Sequence, residues 1–430
     1  MPVAVSAARD DNEYMSPVRW IADQKAWERV AEQLVQQPEL AVDTESNSLH
    51  AYRERVCLVQ IATSDETFLL DPLAIKDLSS LGQLLAASNI VKVLHGSDYD
   101  LRSLDREYGY RVQPLFDTGV AARFLGVPSP NLASVLETFL GVSIPKSRKL
   151  QRSNWGLRPL STLAMEYAAS DVRYLVRLSY ELRQRLAAVS RLEWVLEECS
   201  RLEQVRYSPP DFQKDAFLLI KSSAQLNPGE LAVLEELVAF REAEARLLDW
   251  PPFRVLSNET LLFLAQRSDT PLPRVPGLSS SRMAQAGERL QAAIDRGRSG
   301  PGLHRPRMPK RDNPWTPEAQ ALLRRLKKWR TERGAMLGLD PALLWPAASL
   351  ERLALQPNQW ETELTPHIPP LLEGDAGGIW QRRNPRGSPR GGDVAEPSPS
   401  EDTGETTEVR EWQRLEFAQE LKEIFLQRPA

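Results

Sequence analysis

"LAVDTESNSLHAYRERVCLVQIAT", residues 40–63, joins an apolar run to two acids spaced two apart and then enters a second apolar run. In an extended strand residues i and i+2 share a face. Leu40, Ala41 and Val42 therefore read as a strand in a core, and Asp43 and Glu45 project from its end on one side, about 7 Å apart. Like charges held so close repel unless something positive lies between them. The second run, "RVCLVQIAT", alternates poorly and looks buried on both faces, which puts the acid-bearing strand near the centre of a sheet. "TFLLD" and "IVKVLHG" read as further strands. "DQKAWERVAEQLVQ" before them and "DLRSLDREYG" after them carry helical periodicity, and a long helical run follows near Ser161–Val189. Strands early and helices late define an α/β class.

Working outward, residues 1–16 are polar and aperiodic and read as a flexible N-terminal arm, and residues 17–207 as one α/β domain. Two prolines in "RYSPPDF", 206–212, stop a helix. An all-helical unit spans 215–297, opened by "PGELAVLEELVAFREAEARLL". A Pro/Gly-rich basic linker covers 298–315. A second helical unit, 316–372, opens with "PEAQALLRRLKKWRTERGAMLG", enough like the first opening to suggest a duplicated module. Residues 373–407 are rich in Gly, Pro, Ser and acids and are expected to be disordered. Residues 408–430 form a final amphipathic helix.

Two to four domains fit a chain of 430 residues, given about 100–200 residues per domain. With 42% hydrophobic and 26% charged residues the chain reads as globular. Two cysteines, Cys57 and Cys199, cannot make a disulfide framework, and no apolar stretch is long enough to span a bilayer. A reducing, cytoplasmic setting without a membrane partner is expected. The net charge of −4 says little about partners, because acids of a site and of a tail mask local basic surface.

Four acids and a phenol form the candidate constellation. In "VKVLHGSDYDLRSL", 91–104, an apolar strand ends and a helix begins. Asp98 reads as its N-cap, whereas Asp100 falls in the first turn on the side of Leu101 and Leu104, facing the sheet. In "MEYAASDVRYL", 165–175, Tyr167 and Asp171 share a helical face at i and i+4, with Ala168, Ala169 and Ser170 small enough for close packing. Any one of these residues is explained as a cap, an ion-pair partner or a solvated acid. Together, acids on a strand, a helix start and a second helix suit hard cations with oxygen ligands. Two Mg²⁺ or Mn²⁺ ions about 3.5–4 Å apart would clamp the attacking and leaving oxygens of a phosphoryl displacement.

These stretches, with "PLFDT", resemble the three exonuclease motifs of the DEDD superfamily in its tyrosine subgroup, and most resemble the ribonuclease D family over about residues 17–205. The helical units resemble HRDC domains (helicase and ribonuclease D C-terminal), the first more closely than the second. The resemblance implies a ribonuclease H-like fold with a mixed five-stranded sheet, followed by two all-helical domains. It implies a metal-dependent 3′–5′ exoribonuclease that releases nucleoside 5′-monophosphates and trims 3′ ends of tRNA precursors and other small structured RNAs. Asp43 would bridge two divalent metal ions, Glu45 and Asp171 would complete the site of the metal that activates water, and Asp100 would hold the second. Tyr167 would orient or help deprotonate the attacking water. None of the four histidines lies in the third motif, so the tyrosine assignment also follows from this sequence.

"KSRKLQRSNWGLRPLS", 146–161, carries Lys146, Arg148, Lys149, Arg152 and Arg158 around Trp155, a mix that can hold a phosphate backbone and stack a base. It resembles the family's basic stretch before the third motif, with Asn154 where aspartate is usual and Leu157 where a second arginine is common. The alternative is a solvated loop with Trp155 as a buried anchor. His95 and Gly96 are read as shaping a turn, Asp117 as a helix N-cap and Cys57 as core. "RRLKKWR", 324–330, is either a solvated or an RNA-contacting face. Two other functions stay open at this point: a 3′–5′ exonuclease acting on DNA, and a non-catalytic RNA-binding scaffold. The oligomeric state is not legible.

Overall fold

A computed structural model describes residues 17–145, 147–209, 216–305, 313–366 and 408–426. Six strands form one mixed sheet: β1 (Val18–Ile21), β2 (Glu39–Ser46), β3 (Val56–Ala62), β4 (Thr67–Leu70), β5 (Val91–Leu94) and β6 (Leu115–Asp117), ordered β1-β4-β3-β2-β5-β6. The acid-bearing β2 is an inner strand, antiparallel to β3 and parallel to β5. Every residue of β3 is buried, which explains its lack of alternation. The sheet has one strand more than the five implied by resemblance. Its edge strands β1 and β6 have four and three residues, too few to show a period of two.

Helices cover the sheet: α1 (Gln24–Leu34), α2 (Ser79–Ala86), α3 (Asp98–Tyr108), α4 (Thr118–Phe124), α5 (Leu132–Leu140), α6 (Arg148–Gln151), α7 (Thr162–Arg173), α8 (Leu175–Ala188) and α9 (Leu192–Leu202). The helical run expected over Ser161–Val189 breaks at Tyr174 into α7 and α8. Ser161 caps α7, accepting from the Ala164 amide at 3.2 Å. The buried alanines 164, 168 and 169 let α7 lie close across β2, β3 and β4. In α3 the cap position falls on Ser97, not Asp98. Asp98 instead pairs with Arg102 one turn later at 2.9 Å, which corrects the sequence expectation.

The first helical module comprises α10 (Pro228–Leu248), α11 (Pro252–Val255), α12 (Asn258–Gln266) and α13 (Ser280–Ser299). Asn227 and Glu230 close a capping box at the start of α10. Leu234, Leu237, Leu261, Leu264, Ala293 and Ile294 form its core. This module and the α/β domain belong to one compact unit.

The second unit takes in α14 (Pro317–Leu337), α15 (Pro341–Leu344), α16 (Ala347–Leu355), α17 (Trp360–Leu364) and α18 (Glu411–Leu426), together with the short segment Arg123–Ser129. Helices of 21, four and nine residues open both modules in the same order. Helix α18 packs on α14 and α17. The Trp329 indole donates to Glu420 at 2.8 Å and meets Phe417 edge-on at 5.7 Å, and Arg325 donates to the Ile424 carbonyl at 2.7 Å. The C-terminal helix thus completes the second module instead of standing apart. Of the basic run 324–330, Trp329 and Arg325 serve this packing, Lys327 pairs with Glu351 at 3.7 Å, and Arg324 is exposed. Residues 1–16, expected to be a flexible arm, residues 306–312 of the basic linker, and residues 367–407, which hold the segment expected to be disordered, lie outside the described residues.

Candidate active site

Strand alternation puts Asp43 and Glu45 on one face of β2, and in register with them on β3 stand Gln60 and Leu58. The ladder shifts register between Glu45 and Ser46, directly after the two acids. Helix α7 crosses this face and delivers Asp171. Carboxylate oxygens of Asp43, Glu45 and Asp171 all lie within 4.8 Å of one another. The Tyr167 hydroxyl hydrogen-bonds to Asp171 one turn away.

Asp100 comes from the first turn of α3 and is only 6% exposed. Its Oδ1 accepts the Thr44 amide at 3.1 Å and the Thr44 hydroxyl at 2.5 Å, which locks α3 to β2. Asp100 falls outside the 4.8 Å group, so three of the four expected acids converge and the fourth stands beside them.

The electrostatics follow from crowding. Desolvation, and then the charges of Asp100, Asp171 and Glu45, hold the Asp43 carboxyl well above its usual range. Glu45 is raised by desolvation and then by Asp171 and Asp100. Desolvation lifts Asp100 to about 6 against the Thr44 hydrogen bonds, and Asp171 to about 7 against the Tyr167 bond. The Tyr167 phenol is pushed up by desolvation and by the neighbouring carboxylates. Four acids with no lysine or arginine among the described residues lining the cleft fit one class of occupant: hard divalent cations with oxygen ligands. Gln60 adds to the fit, being fully buried beside Asp43 with neither amide atom hydrogen-bonded to protein.

The acids line a cleft of about 390 Å³, rimmed by Ser48, Leu49, Tyr99, Leu132, Gln151 and Ser153. Tyr99, which sequence reading passed over, is 46% exposed, and its hydroxyl contacts Ser46 Oγ at 2.7 Å and Glu54. Its position between Asp98 and Asp100 at a helix start was the available signal. His95 also lines the cleft, but Thr118 Oγ1 and the Pro130 carbonyl, each at 2.9 Å, engage both ring nitrogens. Asp117 accepts the amides of Gly96, Ser97, Gly119 and Val120 at 2.7–3.0 Å, binding the β5–α3 turn to the start of α4.

The basic stretch divides. Arg148, Lys149 and Arg152 are exposed on and after α6, while Lys146 lies outside the described residues. Trp155 is 1% exposed and packs beside Tyr167, ring centroids 6.2 Å apart, so it anchors the loop and stacks on no base. Arg158 grips Asp71 with two bonds of 2.6 and 2.7 Å and donates to the Cys57 carbonyl at 2.7 Å. Its guanidinium holds the fold together instead of facing a phosphate. Both assignments to RNA contact are corrected by burial and ion pairing.

Residues 18–187 match a family model described as 3′-5′ exonuclease, and residues 230–294 match the HRDC domain. Ribonuclease D of Pseudomonas paraeruginosa is 32% identical over 343 residues, which is 78% of this chain and 89% of that protein. The crystal structure of Escherichia coli RNase D, described as an exoribonuclease involved in structured RNA processing, matches with a TM-score of 0.59 and 28% identity. The match covers 82% of this chain and 93% of that one. The catalytic core of RRP6 from Trypanosoma brucei matches with a TM-score of 0.60 and 25% identity, over 66% and 82% of the two chains. With the acids at the end of an inner strand, the exonuclease and HRDC matches in this order, and relatives aligned over most of their length, the chain belongs to the ribonuclease D family of 3′–5′ exoribonucleases.

Proposed function

We propose that this exoribonuclease trims 3′ ends of tRNA precursors and other small structured RNAs in the cytoplasm, releasing nucleoside 5′-monophosphates. The observation that carries the reading is the convergence of Asp43, Glu45 and Asp171 within 4.8 Å at the floor of an open cleft. Asp43 would hold two divalent cations, Mg²⁺ or Mn²⁺, jointly; Glu45 and Asp171 would complete one site and Asp100 the other. When bound, the cations supply charge neutralisation to the attacking and leaving oxygens. Tyr167, hydrogen-bonded to Asp171, orients the attacking water. The water's oxygen bonds to phosphorus as the P–O3′ bond breaks, one water proton passing to solvent and the departing O3′ taking one up, so the shortened strand keeps a 3′ hydroxyl and the released nucleotide keeps its 5′ phosphate. Arg148, Lys149 and Arg152 would neutralise backbone phosphates at the rim. The second helical module is read as HRDC-like, from its helix lengths, and as a further grip on structured RNA.

The test is digestion of 5′-labelled single-stranded RNA and matched DNA with Mg²⁺, with Mn²⁺ and with chelator, products being separated by chromatography. A ladder shortening from the 3′ end, 5′-monophosphates and chelator-sensitive loss of activity are expected. Equal or faster digestion of DNA would transfer the reading to a DNA exonuclease. Binding without turnover would leave only a scaffold.

A further inference from the structure

Two segments distant in sequence form the cleft's rim: the loop after β2, with Ser48 and Leu49, and the α6 turn, with Gln151 and Ser153. His50 ties them. Its Nε2 lies 2.9 Å from the Arg152 carbonyl oxygen, and its Nδ1 lies 2.9 Å from Nη2 of Arg254, on α11 of the first helical module. A guanidinium only donates and a carbonyl only accepts. The tautomer is thereby fixed, with Nδ1 accepting from Arg254 and Nε2–H donating to Arg152.

The same end of the module holds the rest of the loop. Asp249 accepts the Arg53 amide at 3.0 Å. The Tyr52 hydroxyl donates to Glu242 and accepts from Arg246 at 3.1 Å, and the Tyr52 ring packs against the module's core.

We propose that the Arg254–His50–Arg152 bracket is how the first helical module positions the RNA channel, making His50 and Arg254 positioning residues for the strand upstream of the scissile bond. The inference rests on the exoribonuclease reading above. Helix α6 has four residues, far below the length at which a helix holds itself, so outside bonds must fix it. Among the described residues its start is held by the Ser147 cap, which accepts from the Leu150 amide at 3.2 Å, its middle by Leu150, packed against the cluster of Trp155, Ala164 and Ala168, and by the Ser153 hydroxyl donating to the Lys149 carbonyl at 3.2 Å, and its far end by His50 at the Arg152 carbonyl. The exposed cations Arg148, Lys149 and Arg152 ride on this turn. Breaking the bracket frees the far end of this turn, at Arg152, and loosens the line of cations there, while the acids on β2, α3 and α7 stay in place. A dinucleotide, lying within the cleft, does not feel the change; a longer strand crossing the rim does.

The test uses full-length protein, a dinucleotide, and a longer unstructured oligoribonucleotide. Arg254→Ala is expected to raise KM for the oligonucleotide about tenfold, equivalent to about 1.4 kcal/mol, with kcat retained and dinucleotide kinetics unchanged. Arg254→Lys keeps a donor and should restore KM. His50→Ala should raise the oligonucleotide KM similarly and add nothing to Arg254→Ala, since both cut one chain of bonds; His50→Gln, which keeps one acceptor and one donor, should recover part of the loss. Unchanged KM in Arg254→Ala, an equal loss of kcat on both substrates, or additive effects would each overturn the bracket while leaving the enzyme's reading intact. A wild-type protein that degrades neither RNA overturns both.

Discussion

Replacing Asp171 with asparagine should abolish turnover and yet make the metal-free protein more stable. Desolvation lifts the Asp171 carboxyl from 3.8 to about 7, so the folded state holds this proton more tightly than the unfolded chain does. The cost of ionising it in the fold is absent below pH ~4, the unfolded value, and complete above pH ~7, the folded one. Three pKa units at 1.36 kcal/mol each set an upper bound of about 4 kcal/mol. Asp171 faces an open cleft where water screens it, which reduces the figure to about 1–2 kcal/mol. Asp171→Asn removes that charge, so in chelator at pH 8 its Tm should exceed the wild type's by about 2–8 °C. At pH 4 the difference should disappear. Adding Mg²⁺ should reverse the order, because only the wild type keeps the full ligand set, and a ligand at a hundred times its Kd stabilises by about 2.7 kcal/mol. Calorimetry in chelator and in Mg²⁺ at both pH values reads all of this. A variant that melts below the wild type in chelator at pH 8, or gains as much from Mg²⁺, would refute the reasoning.

Tyr167→Phe should lower kcat by about 10²-fold or more while leaving the Kd for RNA unchanged, since an orienting group acts on the transition state; an equal loss of affinity would make it a binding residue. Asp100→Asn should abolish activity, whereas Asp98→Asn, losing only a surface pair with Arg102, should keep it and cost at most about 1 kcal/mol; steady-state rates decide, and the opposite pattern would reverse the second-motif assignment. Arg158→Ala should destabilise by about 3–5 kcal/mol, because it leaves the nearly buried Asp71 unpaired, without altering the salt dependence of RNA binding. Arg152→Ala should do the reverse, lowering the salt slope by about 0.7 with little change in Tm.

Why some of this was legible and some was not follows from the range of each interaction. The period of two along β2 puts Asp43 and Glu45 on one face, and the phase of α3 separates Asp100 from Asp98, so local geometry suffices. Asp171 and Tyr167 follow from one helical turn. The pairing of Arg158 with Asp71 spans 87 positions, and nothing near Arg158 distinguishes a guanidinium claimed by a distant acid from one left for a phosphate. The same holds for Trp155, whose burial depends on α7 lying close enough for Ala164, Ala168 and Ala169 to pack with it under one roof. His50 joins three elements across 102 and 204 positions and carries no local signature.

The second module shows a different limit. Its opening helix matches that of the first in length and in its leading proline, but the helix that closes it, α18, begins at Glu411, after a polar segment that interrupts any local pattern. Amphipathicity shows that such a helix has a partner without saying which. What assigns it is chemistry on the facing helix: Trp329 and Arg325 sit in a run that looks solvated until Glu420 and the Ile424 carbonyl are placed opposite them. The basic run on α14 is therefore partly a packing surface. RNA contact on this module has to be sought first at Arg324, whose side chain is exposed and whose position leaves the module's core untouched.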